Sequence, residues 1–152
     1  MIKDVFSKQV IDEIIERINR LQPQSTPQWG KMNVSQMLAH CNVTYDYTYT
    51  PEKFKAPGVI KKFFLKTLIK KYIVGPQPYR QNIHTAPDFI IADSREFETE
   101  KKKLIDALHR TQQLGRSYFE GRENFSFGKM TAEEWNTMYY KHIDHHLRQF
   151  GV

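Results

Sequence analysis

Three of the six histidines stand in one run, Lys141-His142-Ile143-Asp144-His145-His146. His142 and His146 are four residues apart, so on a helix they lie one above the other on the same face. Two imidazoles placed this way can converge on one divalent ion, as in other helical two-histidine metal sites. Trp135, Met138, Tyr139, His142, His146 and Phe150 recur at three- and four-residue intervals, so the pair sits on a stripe that otherwise reads as apolar. Neutral imidazoles buried there need hydrogen-bond partners. A shared ion supplies one for both; the alternative is a chance pair, since histidines at this spacing often occur at the surface. His145 points about a third of a turn away from His146 and belongs outside a ligand set. Asp144, two residues from each of the pair, is expected on the solvent side.

Two imidazoles hold a divalent ion weakly, and a third ligand is needed. His40 is the candidate, beside Met37, Cys41 and Thr44 on an earlier helix. Facing helices of a bundle bring such residues together. The competing reading is a core histidine bonded to a backbone carbonyl. Cys41 points about 100° from His40 and reads as a small core residue. Thr44 and Tyr47 lie one and two turns beyond His40, and Tyr139 and Trp135 one and two turns before His142. Tyr47 or Tyr139 is placed to donate a hydrogen bond to a substrate, or else packs in the core. No carboxylate falls on the ligand faces, so no general base is assigned.

The elements that must position these residues are helical. A first helix is expected from about Val5 to Leu21, burying Ile11, Ile14, Ile15, Ile18 and Leu21, and stopped by Pro23 and Pro27. Asn33 and Gln36 form a capping box for a second helix running to about Thr48, with Val34, Met37, Leu38 and Cys41 inward. A lysine-rich helix spans about Pro57 to Val74 and ends at Gly75-Pro76. Residues 75–92 read as an irregular connection pinned by Ile83, Phe89, Ile90 and Ile91. Asp93 with Glu96 suggests another capping box, opening a helix that Gly115 ends. Residues 115–130 read as a loop. Thr131 with Glu134 opens the last helix, which ends near Phe150. Strand signals are nearly absent, so the class is all-α: four or five helices around a bundle core in a single domain, residues 1–152.

Composition narrows the chemistry further. The chain has 152 residues, 39% apolar and 26% charged, enough for one ordinary core and against wholesale disorder. One cysteine excludes a disulfide framework and tetrathiolate zinc or iron–sulfur sites. No apolar run reaches the length of a transmembrane helix, and Met1–Val5 lacks the apolar core of a signal peptide, so the cytoplasm is the expected compartment. The net charge is +6. Residues 52–80 hold seven lysines and Arg80 against Glu52 alone, which places the whole basic excess in one segment. Val59, Ile60, Phe63, Phe64, Leu68, Tyr72 and Ile73 recur there at helical spacing. The ordinary expectation is a solvated basic face over a buried apolar stripe; a nucleic-acid or membrane surface is the alternative. No zinc finger, RNP aromatic motif or arginine-rich arm accompanies it.

Two segments resemble a known family. Trp29-Gly30-Lys31-Met32-Asn33-Val34-Ser35-Gln36-Met37-Leu38-Ala39-His40-Cys41 resembles the second-helix signature of the DinB/YfiT-like metalloenzymes. Phe127-Gly128-Lys129-Met130-Thr131-Ala132-Glu133-Glu134-Trp135, leading into His142 through Gln149, resembles their terminal metal-binding helix. Gln149 stands where relatives commonly carry Gln, whereas Leu147-Arg148 replaces their usual Arg-Gly. The resemblance implies a DinB-like four-helix bundle with an additional basic helix and long connecting loops. It implies a divalent metal, zinc or nickel ahead of iron or manganese, held by His40, His142 and His146. Gln149, Thr44, Tyr47, Trp135 and Tyr139 are expected around the site. The implied activity is that of a metal-dependent transferase or hydrolase, which activates a thiol or a water against a small-molecule substrate. A low-molecular-weight thiol is the implied co-substrate, and a homodimer is expected. Neither nucleic acid nor membrane is an expected partner. Three imidazoles leave an open position on a zinc-like ion, the pattern of catalytic sites. A non-catalytic metal- or ligand-binding bundle is the alternative. Occupancy of an all-histidine site is expected to fall as pH drops through about 6.

Overall fold

The Asn33 and Thr131 capping boxes both form, and each starts a helix that carries a histidine. In the computed structural model, which describes residues 1–152 except the Lys61 side chain, α2 runs Val34–Tyr49 and α6 runs Ala132–Gln149. The Asn33 side chain accepts from the Gln36 amide at 2.9 Å, and Gln36 Oε1 accepts from the Asn33 amide at 3.1 Å. Thr131 and Glu134 repeat the exchange at 3.2 and 2.9 Å. These bonds satisfy orphan amides of the first turn and fix the phase of each helix.

α1, Lys8–Arg20, starts later than Val5. Val5 and Phe6 are buried in a turn instead, where the Val5 amide donates to Asn136 Oδ1 at 2.8 Å and the Phe6 amide to Asp4 Oδ1 at 3.0 Å. Ile11, Ile14 and Ile18 form the buried stripe, with Ile15 only partly covered. α5, Phe97–Phe119, begins after Glu96 with no side-chain cap, so the Asp93–Glu96 capping box does not form. Asp93 accepts from Arg95 at 3.1 Å instead. Gly115 breaks α5 with φ +68, a conformation that favours glycine. The chain then resumes a helical turn to Phe119, where a loop was expected. Glu123–Asn124 pairs antiparallel with Gly128–Lys129. Asn124 Oδ1 holds the turn between them by accepting from the Ser126 and Phe127 amides.

The chain is mostly helical, with this one small strand pair, and so belongs to the all-α class. α2 is buried nearly all round and packs chiefly on α5 and also on α6; α1 contacts both α5 and α6. No helix among the described residues is long and apolar enough to cross a membrane.

The basic segment departs from expectation. α3, Val59–Phe64, a π-helical turn, Leu65–Ile69, and α4, Lys70–Val74, follow one another as a single arm. Its apolar stripe is not buried: Val59 is 88% exposed, Ile60 77%, Phe63 63% and Leu68 62%. It is nevertheless tied to the body along its length: Leu65, Ile73 and Val74 pack against the core, and Lys62 pairs with Glu123 at 3.0 Å. Lys70 pairs with Glu134 at 2.7 Å, and Lys141 Nζ donates to the carbonyls of Tyr72 and Gly75 at 2.9 and 2.7 Å. In the connection that follows, Phe89 and Ile91 are partly buried, whereas Ile83 and Ile90 are exposed rather than pinned.

Candidate metal centre

α2 contributes His40 and α6 contributes His142 and His146. One ligand atom from each lies within 4.8 Å of the others. His40 and His146 are buried, and His142 is half-buried. His40 Nε2 is 3.0 Å from His142 Nε2, and the His146 ring centroid is 4.5 Å from that of His40. Nitrogens about 2.0–2.1 Å from a tetrahedral ion stand roughly 3.3 Å apart, so the cluster has the dimensions of an ion site.

Each ring is held from behind through Nδ1. His40 Nδ1 donates to the Phe89 carbonyl at 2.8 Å. His146 Nδ1 donates to Gln149 Oε1 at 2.8 Å, and the Gln149 amide is oriented by donating to the Trp29 carbonyl at 2.7 Å. These acceptors have no proton to give, so both rings carry theirs on Nδ1 and present bare Nε2 lone pairs. His142 Nδ1 lies 3.0 Å from Thr44 Oγ1, a hydroxyl that can either donate or accept. With Nδ1 protonated, His142 completes a set of three inward lone pairs. Such a set is repulsive without a cation and is the donor set a divalent ion requires. With Nε2 protonated, His142 donates to His40 instead, and the apo cluster is satisfied. The residues therefore fit a divalent ion, each imidazole with the outer partner characteristic of metal-bound histidine.

Electrostatics agree. Burial pulls His146 down to about 3, helped by the charge of His40 and opposed by the Gln149 hydrogen bond. His142 is held well below the ordinary imidazole value by burial, with His146 and His40 adding to the effect. Burial lowers His40 too, against the Phe89 carbonyl. All three are neutral at neutral pH, the form that ligates. Competition by protons is therefore displaced below the expected value of about 6.

A family model described as a protein of unknown function (DUF1569) matches residues 6–151. The chain belongs to the DUF1569 family. No curated protein and no solved structure matches it.

In this DUF1569 member a cavity of about 900 Å³ opens over the three histidines. Leu65, Ile69 and Ile73 wall it from the arm, with Phe89 and Ile91 from the connection, and Phe125, Phe127 and Met138 opposite. Thr44, Tyr47 and Gln149 also line it. Trp135 and Tyr139 do not; both are 1% exposed core residues. Tyr139 stacks on Tyr45 at 5.0 Å and bonds Thr48 Oγ1 at 2.8 Å. Their stripe leads away from the cavity along α6 into the core. Asp144 is not on the solvent side but pairs with Arg17 at 2.8 Å, half-buried. His145 is partly buried, its ring 5.8 Å from Trp29 and 5.9 Å from Tyr79.

Sequence reasoning missed three contributors. Asp88 lies on the cavity wall and accepts from the Tyr47 hydroxyl at 2.6 Å. Burial, and then Asp88, push Tyr47 above the ordinary tyrosine range. The carbonyls of Phe89 and Trp29 orient His40 and Gln149, and backbone acceptors leave no trace in residue type. Pro87, which opens the 3₁₀ turn Pro87–Phe89, was the available signal for Asp88 and Phe89. Gly30 carries a trace of a different kind. It has φ +83, and a Cβ there would stand 2.6 Å from Gln149 Nε2, so glycine at this place lets Gln149 reach Trp29 and hold His146.

Proposed function

We propose that the protein is a DinB-like metal-dependent enzyme in which His40, His142 and His146 hold a divalent ion, zinc or nickel, and a thiol or water nucleophile attacks a small, largely apolar substrate. The observation that carries this reading is the convergence of one ring nitrogen from each of three histidines within 4.8 Å, with each ring's Nδ1 engaged by a neighbouring group. The layout supports the DinB-like assignment, since the histidines come from the second and last of four long helices, α1, α2, α5 and α6.

A divalent ion held by three imidazoles supplies Lewis-acid activation, drawing the pKa of a thiol or water toward neutrality. The remaining work falls to the chain. Phe89, Thr44 and Gln149 fix the ring tautomers and so set the direction of the lone pairs. The cavity is of the size that takes a small organic ligand. Its apolar walls favour an apolar substrate body. The Tyr47 hydroxyl donates to Asp88 Oδ2, which holds both side chains on the cavity wall. Purely structural zinc sites are closed by four protein ligands. Three ligands beside a large cavity favour catalysis over a metal used only for stability. Thiol transfer is preferred to hydrolysis on the resemblance alone, which also extends the proposal to a cytoplasmic homodimer.

The test is metal content by mass spectrometry on protein purified without a nickel column, for wild type and His142→Ala. The expected result is about one ion per wild-type chain, absent from a folded mutant. Substrate screens with apolar electrophiles and a low-molecular-weight thiol, and with esters, then separate transferase from hydrolase. A folded mutant that keeps its metal overturns the site.

A further inference from the structure

The arm that turns Leu65, Ile69 and Ile73 toward the cavity carries a second apolar face. Val59, Ile60, Phe63, Phe64 and Leu68 are all large, apolar and more than half exposed. Single exposed apolar side chains are ordinary on a protein surface, but a contiguous helical face of them marks an interaction site. The arm's own charge has one sign. No acidic residue occurs between Glu52 and Asp88. Lys62 is drawn to Glu123 at 3.0 Å and Lys70 to Glu134 at 2.7 Å. Lys53, Lys55, Lys66 and Lys71 remain exposed.

We propose that this face docks on an anionic lipid surface, with α3 and the π-helical turn lying in the interface plane. Phe63, Phe64 and Leu68 enter the boundary between headgroups and acyl chains, and Lys66 and Lys71 meet lipid phosphates. Apolar insertion combined with lysine-rich flanks is the physical signature of interfacial helices. A second copy of the chain fits less well. A two-fold contact through this patch sets the same lysines against themselves. Nucleic acid would satisfy the lysines but leave the aliphatic face in water. The inference does not depend on the metal.

The experiment is co-sedimentation of the full chain with vesicles of phosphatidylcholine alone and of phosphatidylglycerol mixed equally with phosphatidylcholine. Binding is expected to the anionic vesicles only, and to weaken as salt is raised. Phe63→Glu with Leu68→Glu should weaken it at least about tenfold, since each side chain loses the gain of leaving water. Both positions are exposed, so circular dichroism and metal content should stay as in the wild type. A Lys66→Glu, Lys71→Glu variant, which keeps the apolar face, should also bind more weakly. No binding of the wild type to anionic vesicles overturns the proposal. So does undiminished binding of the apolar-face variant. Self-association without vesicle binding, abolished by the same pair of substitutions, overturns it in favour of a second copy.

Discussion

α6 and the α3–α4 arm both carry apolar residues at three- and four-residue spacing, and they end in opposite environments. On α6, Trp135 and Tyr139 are sealed in the core, and the helix is covered by α1, α2, α5 and the α4 end of the arm. On the arm, Phe63 and Leu68 face outward, while Leu65, Ile73 and Val74 pack on the core, Lys62 and Lys70 form ion pairs, and the Tyr72 and Gly75 carbonyls accept from Lys141. Helical periodicity reports that one face of a helix differs from the other. It does not say what medium covers that face. On α6 the medium is protein, and even its polar members, His142 and His146, are provided with partners there.

The widest separation between the two regions is expected for His142→Ala, which should lose bound metal entirely while substitutions on the outer face of the arm leave it untouched. Metal analysis of the two sets of variants checks this. Equal loss from both would show that the arm helps to build the centre. Next is the stability contrast. Ile143, 2% exposed on α6, should cost about 2–5 kcal/mol when changed to Ala. Ile60→Ala on the arm should change stability by no more than about 0.5 kcal/mol. Urea melts of the two variants decide it, and a large loss at Ile60 would mean that the arm packs against something in solution.

A smaller effect is expected from the outer partners of the histidines. Gln149→Leu removes the acceptor that orients His146 and should weaken metal binding about 10–100-fold. Gly30→Ala pushes on the same amide and should act in the same direction. Competition titration with a chelator measures both, and unchanged affinity in Gln149→Leu would show that His146 needs no such support.

The smallest expected effect is on pH dependence. The buried histidines take up protons less readily in the folded than in the unfolded chain, whose imidazoles titrate near 6.5. The stability they help to provide is therefore complete above about 6.5 and is lost as pH falls toward about 3, the value for His146. The melting temperature of metal-free protein should fall across this window, and His146→Gln should fall less steeply. Parallel curves would remove His146 from the account.

What was legible is what short-range chemistry decides. Asn33 with Gln36 and Thr131 with Glu134 needed only residues three apart, and both boxes form. Asp93 with Glu96 shows the same spacing but fails: α5 starts only at Phe97 with Glu96 as its N-cap, and the Asp93 carboxylate accepts from Arg95 instead. The four-residue interval of His142 and His146 is enough to place the two rings on one face of α6.

The sequence by itself determined the helical class, the phase of α2 and α6, the single basic segment and the set of residues able to ligate. Each follows from local backbone geometry or from composition. Only the tertiary structure decided that His40 meets the other two, that Phe89 and Trp29 lend their carbonyls, that Tyr47 and not Tyr139 reaches the cavity, and that the arm's apolar face stays uncovered. Those outcomes depend on contacts between residues far apart in the chain. His40 and His142 are 102 positions apart, and helical spacing, which repeats every turn, holds no record of which neighbour packing brings to a given face.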